Sequence, residues 1–446
     1  MKKIALDALM VLIAASAGCY DTGGFDDSGA GAGDAYVRDV GPDGDDSGVD
    51  TQDSGNGGSD AGEKPDSGGA DAGQPPSDAG EDAGTIDGGP QDAGPSADAE
   101  TPTPLSDTTP GWNGQLAYSP TSKSWLVATM SGGIVGRMMG NDGIPIGAVF
   151  AVSPADQNAS WVPSVAYAPD VDKFLVVWVD YTNNGWQAWG RFVNGDGTMP
   201  GDAFALSLDK PVANQGGDRT SSLAYDSKNK RFVYAWHGTH LVNIDMSGNI
   251  GPVVDIVDGS PNEHWSASVA ANPDTNEYCV AYDKRNAGTF AVTGVDASTL
   301  TAGAETVANV TTTNVLVAYN TVERTYVVVY DTGYATGVRA MVLGSCDLND
   351  QIREFDILPK VAWTSVAYNP ASNMFAVISQ NANGDGNTFA VFDSSGVVLA
   401  TGDPYLGGSN GNFSPEIAPN TDDGTFAAIS SREYSQTRFT ANIGFK

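Results

Sequence analysis

Cysteine is scarce, with three residues in a chain of 446. A small fold stapled by many disulfides is excluded, and so is a zinc framework built on four Cys ligands. There are only three His. Basic residues are few as well: 22 Lys and Arg stand against 55 Asp and Glu, for a formal net charge of −33. Such a chain has no basic face for a phosphate backbone, so nucleic acid is not an expected partner. Aromatic residues are missing between Tyr36 and Trp112. No apolar run is long enough to span a bilayer. Also absent are the Gly-Lys-Ser/Thr loop, the Gly-x-Ser-x-Gly elbow and the His-Glu-x-x-His pair, and with them the chemistries those motifs carry.

What is present begins with an export signal. Residues 1–18 carry Lys2 and Lys3 ahead of a mostly apolar run that reaches Ala17, the pattern of a signal peptide. Ser16-Ala17-Gly18-Cys19 resembles the lipobox of bacterial lipoproteins, with Ser16 where the family prefers Leu. The resemblance implies cleavage before Cys19 and lipidation of that residue. A small-residue site, Ala15-Ser16-Ala17, offers the alternative of cleavage before Gly18 and simple secretion. Either route predicts an exported protein. The lipid route places it on the outer membrane or cell surface, touching the membrane through the anchor alone.

Residues 19–104 read as a disordered tether. They repeat Asp-Ala-Gly at Asp60, Asp71, Asp78, Asp82 and Asp92. Between residues 20 and 110, 22 acidic side chains face only Arg38 and Lys64. Such a segment buries too little apolar surface to offset the entropy of ordering it. It spans on the order of 50 Å, and more when its like charges repel. The irregular Asp spacing forms no calcium cage, and no cofactor is expected.

Residues 105–446 repeat one phrase seven times. Its clearest copy is Ser164-Val165-Ala166-Tyr167 followed by Phe174-Leu175-Val176-Val177-Trp178. The small residue recurs at Ala117, Ala166, Ala224, Ala270, Ala318, Ala367 and Ala418. An aromatic follows eight positions later each time, at Trp125, Phe174, Phe232, Tyr278, Tyr326, Phe375 and Phe426. Four short β-rich segments fill each period of about fifty residues, and helical periodicity is absent. This predicts an all-β fold, a β-propeller of seven four-stranded blades. The seventh repeat stops after three strands, so Pro102 to Asp107 is expected to supply the fourth and close the ring. Cys279 and Cys346 are expected as free thiols, because nothing in the sequence brings them together.

The phrase is similar to the propeller repeats of secreted and surface lipoproteins of bacteria. The resemblance covers about three-quarters of the chain and implies a toroidal binding scaffold with no particular chemistry. Residues that precede the first strands, or lie between second and third strands, should share one mouth of the channel. There stand Trp112, Trp161, Trp265, Trp363 and Phe413, with Asp180, Tyr181, Trp186, Arg285, Asp385 and Tyr434. Ring faces with planar polar neighbours suit a glycan or a peptide. Each Trp has a plainer reading as filler between blades. The expected function is therefore non-catalytic binding of a glycan, peptide or protein by a monomer.

Two other functions remain open. Arg137, Arg191 and Arg339 recur on third strands and Asp422-Asp423-Gly424 is a fragment of a sialidase-type turn, which would make the protein a glycoside hydrolase. A structural role in docking an envelope protein is the other. His237 and His240 lack a third metal ligand. Asn381 to Asn387 alternates oxygen ligands and offers a second reading as a Ca²⁺ loop, although it lacks a closing bidentate Glu.

Overall fold

A computed structural model of the chain describes Thr103–Pro104 and residues 109–443. Residues 156, 158–160, 183–184, 207–221, 237–239, 258–266, 285–286, 313, 333–335, 360, 382–385, 405–411 and 433–435 are not described. The signal peptide, Cys19 and almost all of the tether expected over 19–104 lie outside the described residues.

Each copy of the phrase becomes one antiparallel sheet of four strands, and seven such blades form the molecule. Blade 2 shows the plan with Trp161–Ala168, Lys173–Thr182, Gly185–Asn194 and Phe204–Ala205. The first strands are neighbours all the way round, including blade 7 beside blade 1, so the ring is closed. The one helical piece among the described residues is a 3-10 turn at Leu348–Asp350.

The second strands explain the near-continuous apolar runs. They are covered on both faces, and Ser124–Met130 is buried at every position. Residues buried on both faces have no reason to alternate with polar ones. The core has no single centre. Seven apolar clusters each draw on two adjacent blades, one cluster per seam. Period-two alternation assigns the faces. Phe174 packs into the seam with blade 1, whereas its neighbour Leu175 joins Ala166 in the seam with blade 3. The recurring aromatics are all buried: Trp125, Phe174, Phe232, Tyr278, Tyr326, Phe375 and Phe426.

The turn between first and second strands repeats as closely as the strands do. Two positions after the Ala stand Asp226, Asn272 and Asn320, all buried. Asn320 Oδ1 accepts from the amides of Val322 and Glu323 at 2.9 Å each, and Asp226 and Asn272 do the same in their own turns. Six positions after the Ala, the backbone is left-handed in all seven blades, at Lys123, Asp172, Lys230, Asn276, Arg324, Asn373 and Gly424. Tyrosine one position after the Ala fastens this turn to the blade before it. Tyr225 donates to Asp170 at 2.6 Å and Tyr319 to Asp274 at 2.8 Å.

The ring closes as expected, with a longer strap. Thr103 and Pro104 pair with Ala441 and Thr440 of the last strand, Gln436–Ile443. Thr109 and Pro110 then pair with Thr437 and Gln436. Proline is tolerable there because the outermost strand needs hydrogen bonds on one side only. Other fourth strands differ from the sequence reading at their ends. That of blade 1 is Pro145–Ala151, starting directly after the tight turn, earlier than the fifty-residue repeat alone suggests.

One expectation is overturned. Cys279 and Cys346 form a disulfide, with Cα atoms 5.5 Å apart. Cys279 lies on the second strand of blade 4, Glu277–Lys284, on the face turned towards blade 5. Cys346 lies between the third and fourth strands of blade 5. They are 67 residues apart in sequence, and only the stacking of successive blades brings them together.

Candidate channel-mouth site

Strand direction alternates within a blade, so the segments entering first strands and those joining second to third strands share one face. The described backbone there has an irregularity that sequence reading missed. A bulge interrupts the head of the first strand in four blades. It lies between Trp112 and Gln115 in blade 1, and between Trp161 and Ser164 in blade 2. In blade 6 it lies between Ala362 and Thr364, and in blade 7 between Phe413 and Glu416. Blades 6, 7, 1 and 2 are consecutive round the ring, so the bulges occupy one continuous sector of the mouth. Bulges concentrate at rims and beside sites, where they re-aim side chains.

The predicted aromatics fall on this feature. Trp112, Trp161 and Phe413 are the residues just before the bulge. Trp363 is the extra residue of the blade 6 bulge, which accounts for its being one place out of register. Its φ is +56° and it is 37% exposed. That conformation is uncommon for a bulky side chain, and the exposure rules out a role as filler between blades. Filling is done instead by Trp125, Trp178 and Trp236.

The other predicted residues lie at the blade 2 hairpin or outside the described residues. Asp180 lies within the second strand of blade 2, buried and paired in register with Gln187. It stands one residue past Val179, the register partner of Trp161, towards the hairpin that joins the second and third strands. Tyr181 and Trp186 are backbone partners in register at the end of the same hairpin. Trp265, Arg285, Asp385 and Tyr434 lie outside the described residues, as do His237 and Asn383. His240 is on a third strand, where its Nδ1 lies 2.7 Å from Asp255 and its ring against Trp236. Among the described residues no group of three or more His, Cys, Asp or Glu has a geometry that could hold a metal ion.

The recurring arginines do not converge. Arg191 donates to the carbonyls of Val152 and Gly201. Arg339 pairs with Glu354 and Asp356 at 2.8 Å each. Arg137 sits on the third strand of blade 1. All three are half-buried. The Asp422-Asp423-Gly424 fragment is an ordinary first-to-second strand turn, with Asp422 accepting from Tyr118 at 2.7 Å.

Sequence reading also passed over the column two positions before the repeat Ala. It reads Gln115, Ser164, Ser222, Ser268, Leu316, Ser365 and Glu416. Four of these side chains, Gln115, Ser222, Ser268 and Ser365, lace neighbouring first strands together. Gln115 Oε1 accepts from Val165 N at 3.1 Å, Ser222 Oγ from Val269 N at 3.1 Å, Ser268 Oγ from Val317 N at 3.0 Å, and Ser365 Oγ from Ile417 N at 3.3 Å. Glu416 is the one ionisable group in the column, and aligning the seven repeats on this position would have exposed it. Ser365 donates to its Oε2 at 2.7 Å, and Gln115 hydrogen-bonds it from the other side. A polar chain therefore runs through blades 6, 7, 1 and 2, the bulged sector.

Burial pushes the Glu416 carboxyl up to about 7 from an ordinary 4.5, against the lowering effect of the Ser365 and Gln115 hydrogen bonds. The folded state then holds this proton more tightly than the unfolded chain does. Stability is unaffected below pH 4.5, falls between 4.5 and 7, and is reduced in full above 7. The full penalty is about 3 kcal/mol. Glu416→Gln should match the native protein at pH 4 and exceed it by roughly 2–3 kcal/mol at pH 8. Guanidinium unfolding of both proteins at the two pH values checks this. An equal difference at both would sink the assignment.

No family model matches the chain, and no curated protein does. Among solved structures it is similar to the β-propeller domain of Cps50 (Swd1) from Myceliophteria thermophila, at 9% identity and a TM-score of 0.51. The match covers 76% of this chain and 99% of that domain. At that identity the likeness speaks to architecture alone, and the architecture is a seven-bladed β-propeller.

Proposed function

We propose that the chain is an exported, lipid-anchored envelope protein whose propeller binds a glycan, peptide or protein partner without turning it over. The anchor is Cys19, the acidic segment to residue 104 is the spacer, and the channel mouth is the binding face. The observation that carries the reading is the run of four bulged first strands in blades 6, 7, 1 and 2, with Trp112, Trp161, Trp363 and Phe413 at the bulges. Among the described residues, first-strand pairing is irregular on this sector of the rim, where a partner would be met. The Cys279–Cys346 disulfide supports the export half of the reading, since such bonds persist in oxidising compartments.

The test presents the mature protein to arrays of envelope glycans and peptides, with product analysis of every hit. Retention without turnover, weakened by Trp363→Ala, is the expected result. Hydrolysis of a glycoside would establish the enzyme instead. A blank array with cross-linking to a single envelope protein would leave a structural docking role. In the same preparation, mass spectrometry should find an acylated Cys19, and a mature chain beginning at Gly18 would remove the anchor.

A further inference from the structure

The strap is held lightly. It meets the last strand, Gln436–Ile443, at four register positions: Thr103 opposite Ala441, Pro104 opposite Thr440, Thr109 opposite Thr437 and Pro110 opposite Gln436. Two of those strap residues are proline and bring no N–H to the ladder. Each other outer strand follows its own third strand in the chain, whereas the strap reaches blade 7 from the opposite end of the sequence. Releasing so few rungs is far easier than opening the ring, and on the order of one molecule in a few hundred has the strap off at any moment.

A single residue, Gly111, joins the strap to the first strand of blade 1. Its φ is +111°, in the left-handed range that favours glycine, and a Cβ there would stand 2.3 Å from the Met130 carbonyl oxygen. The hinge is short and closely seated. Hinges of that kind invite two copies of a chain to exchange the element they carry.

We propose that the outer edge of blade 7 is an acceptor for the strap of a second copy, so that two molecules exchange straps and each completes the ring of the other.

The occupant follows from the fit. Release of the strap bares the outer edge of Gln436–Ile443, and an open edge is a template for strand addition. The segment that matches this edge in register is the chain's own Thr103 to Pro110, and a second copy supplies the same segment. Exchange keeps all four register pairs in each copy. What changes is the hinge, which leaves its left-handed conformation, against the entropy of bringing two molecules together. A strap joined through one residue meets its own edge at an effective concentration of millimolar or more, so dilute protein stays closed and exchange grows with concentration. Charge sets a second condition. The sequence between residues 20 and 110 carries 22 acidic side chains against Arg38 and Lys64, and exchange brings two such segments near each other. Salt should favour exchange by screening them.

Cysteines at register partners read the exchange directly, because Cα atoms across an antiparallel pair lie within disulfide reach. The full chain carries Thr103→Cys and Ala441→Cys, with Cys19→Ser to leave no other free thiol, since Cys279 and Cys346 are already bonded. It is incubated under native conditions at high salt with dithiothreitol, at low and at high concentration, then oxidised and run on a denaturing gel without reductant. The closed form gives a bond within one chain. Exchange gives a covalent dimer whose share rises with concentration and which disappears on reduction. Each single variant should give none, because exchanged straps lie in different blades. Gly111→Ala should raise the dimer share severalfold, because alanine resists the hinge conformation of the closed form. A second lock, Thr109→Cys with Thr437→Cys, gives the same answer should Ala441→Cys disturb the seam it lies in. Covalent monomer at every concentration with both locks leaves the edge to the chain's own strap and overturns the proposal. So do dimers of equal yield from the single variants, or a dimer share unmoved by Gly111→Ala.

Discussion

A chain that begins at Gly111 should unfold at clearly lower denaturant than one that begins at Asp98, although both retain all seven repeats. The shorter chain lacks Thr103–Pro104 and Thr109–Pro110, which pair with Ala441, Thr440, Thr437 and Gln436. Without them the last strand becomes a free edge. Several backbone hydrogen bonds at about 1 kcal/mol each are lost, so the expected deficit is roughly 3–4 kcal/mol of the 5–15 kcal/mol typical of a domain. The new terminus also falls beside Thr437, whose hydroxyl donates to the Gly111 carbonyl at 3.0 Å. Beginning at Gln91 should change nothing relative to Asp98. Equal midpoints for the Gly111 and Asp98 chains would mean that the strap contributes no closure energy.

Replacing Cys279 and Cys346 together by alanine should have an effect of similar size. The bond closes a loop of 67 residues, and the chain-entropy relation gives about 4 kcal/mol for a loop of that length. Its position makes the effect specific. Cys279 is fully buried and Cys346 nearly so, both within the apolar seam of blades 4 and 5. A reductant reaches them only when that seam opens. The expected pattern is a large stability gap between native and double-alanine proteins under air, closing once both are unfolded and refolded in dithiothreitol. A gap of the same size in reductant would assign the loss to the cavity left by the side chains.

The architecture was legible because a propeller writes its period into the chain. A small residue and an aromatic eight places later must recur wherever a first strand meets a second strand covered on both faces. The closing strap was legible for the same reason, since a seventh repeat with three strands leaves an edge to be filled. The disulfide was not. Its partners sit on different repeats, and their distance depends on how one blade stacks on the next, which no local pattern encodes. The bulges were invisible too. They appear in the sequence only as Trp363 standing one place out of step, easily taken for drift. Glu416 was missed because attention went to loops and aromatics. The informative signal was a single charge in a column of hydroxyls, and that column has meaning only once neighbouring first strands are known to be laced.

The strap also decides how the disc is hung. Whatever pulls on residues before Thr103 transmits its load to the outer edge of blade 7, through four rungs between the strap and the last strand. Those rungs are in series with the first strand of blade 1. Under tension the eight residues Thr103 to Pro110 peel away first, releasing about 27 Å of slack. The three inner strands of every blade, the disulfide and the mouth stay in place while they do so. Were the chain anchored ahead of Thr103, it would hang from a detachable seam at the edge of blade 7, a mechanical fuse that would yield before the ring itself is strained.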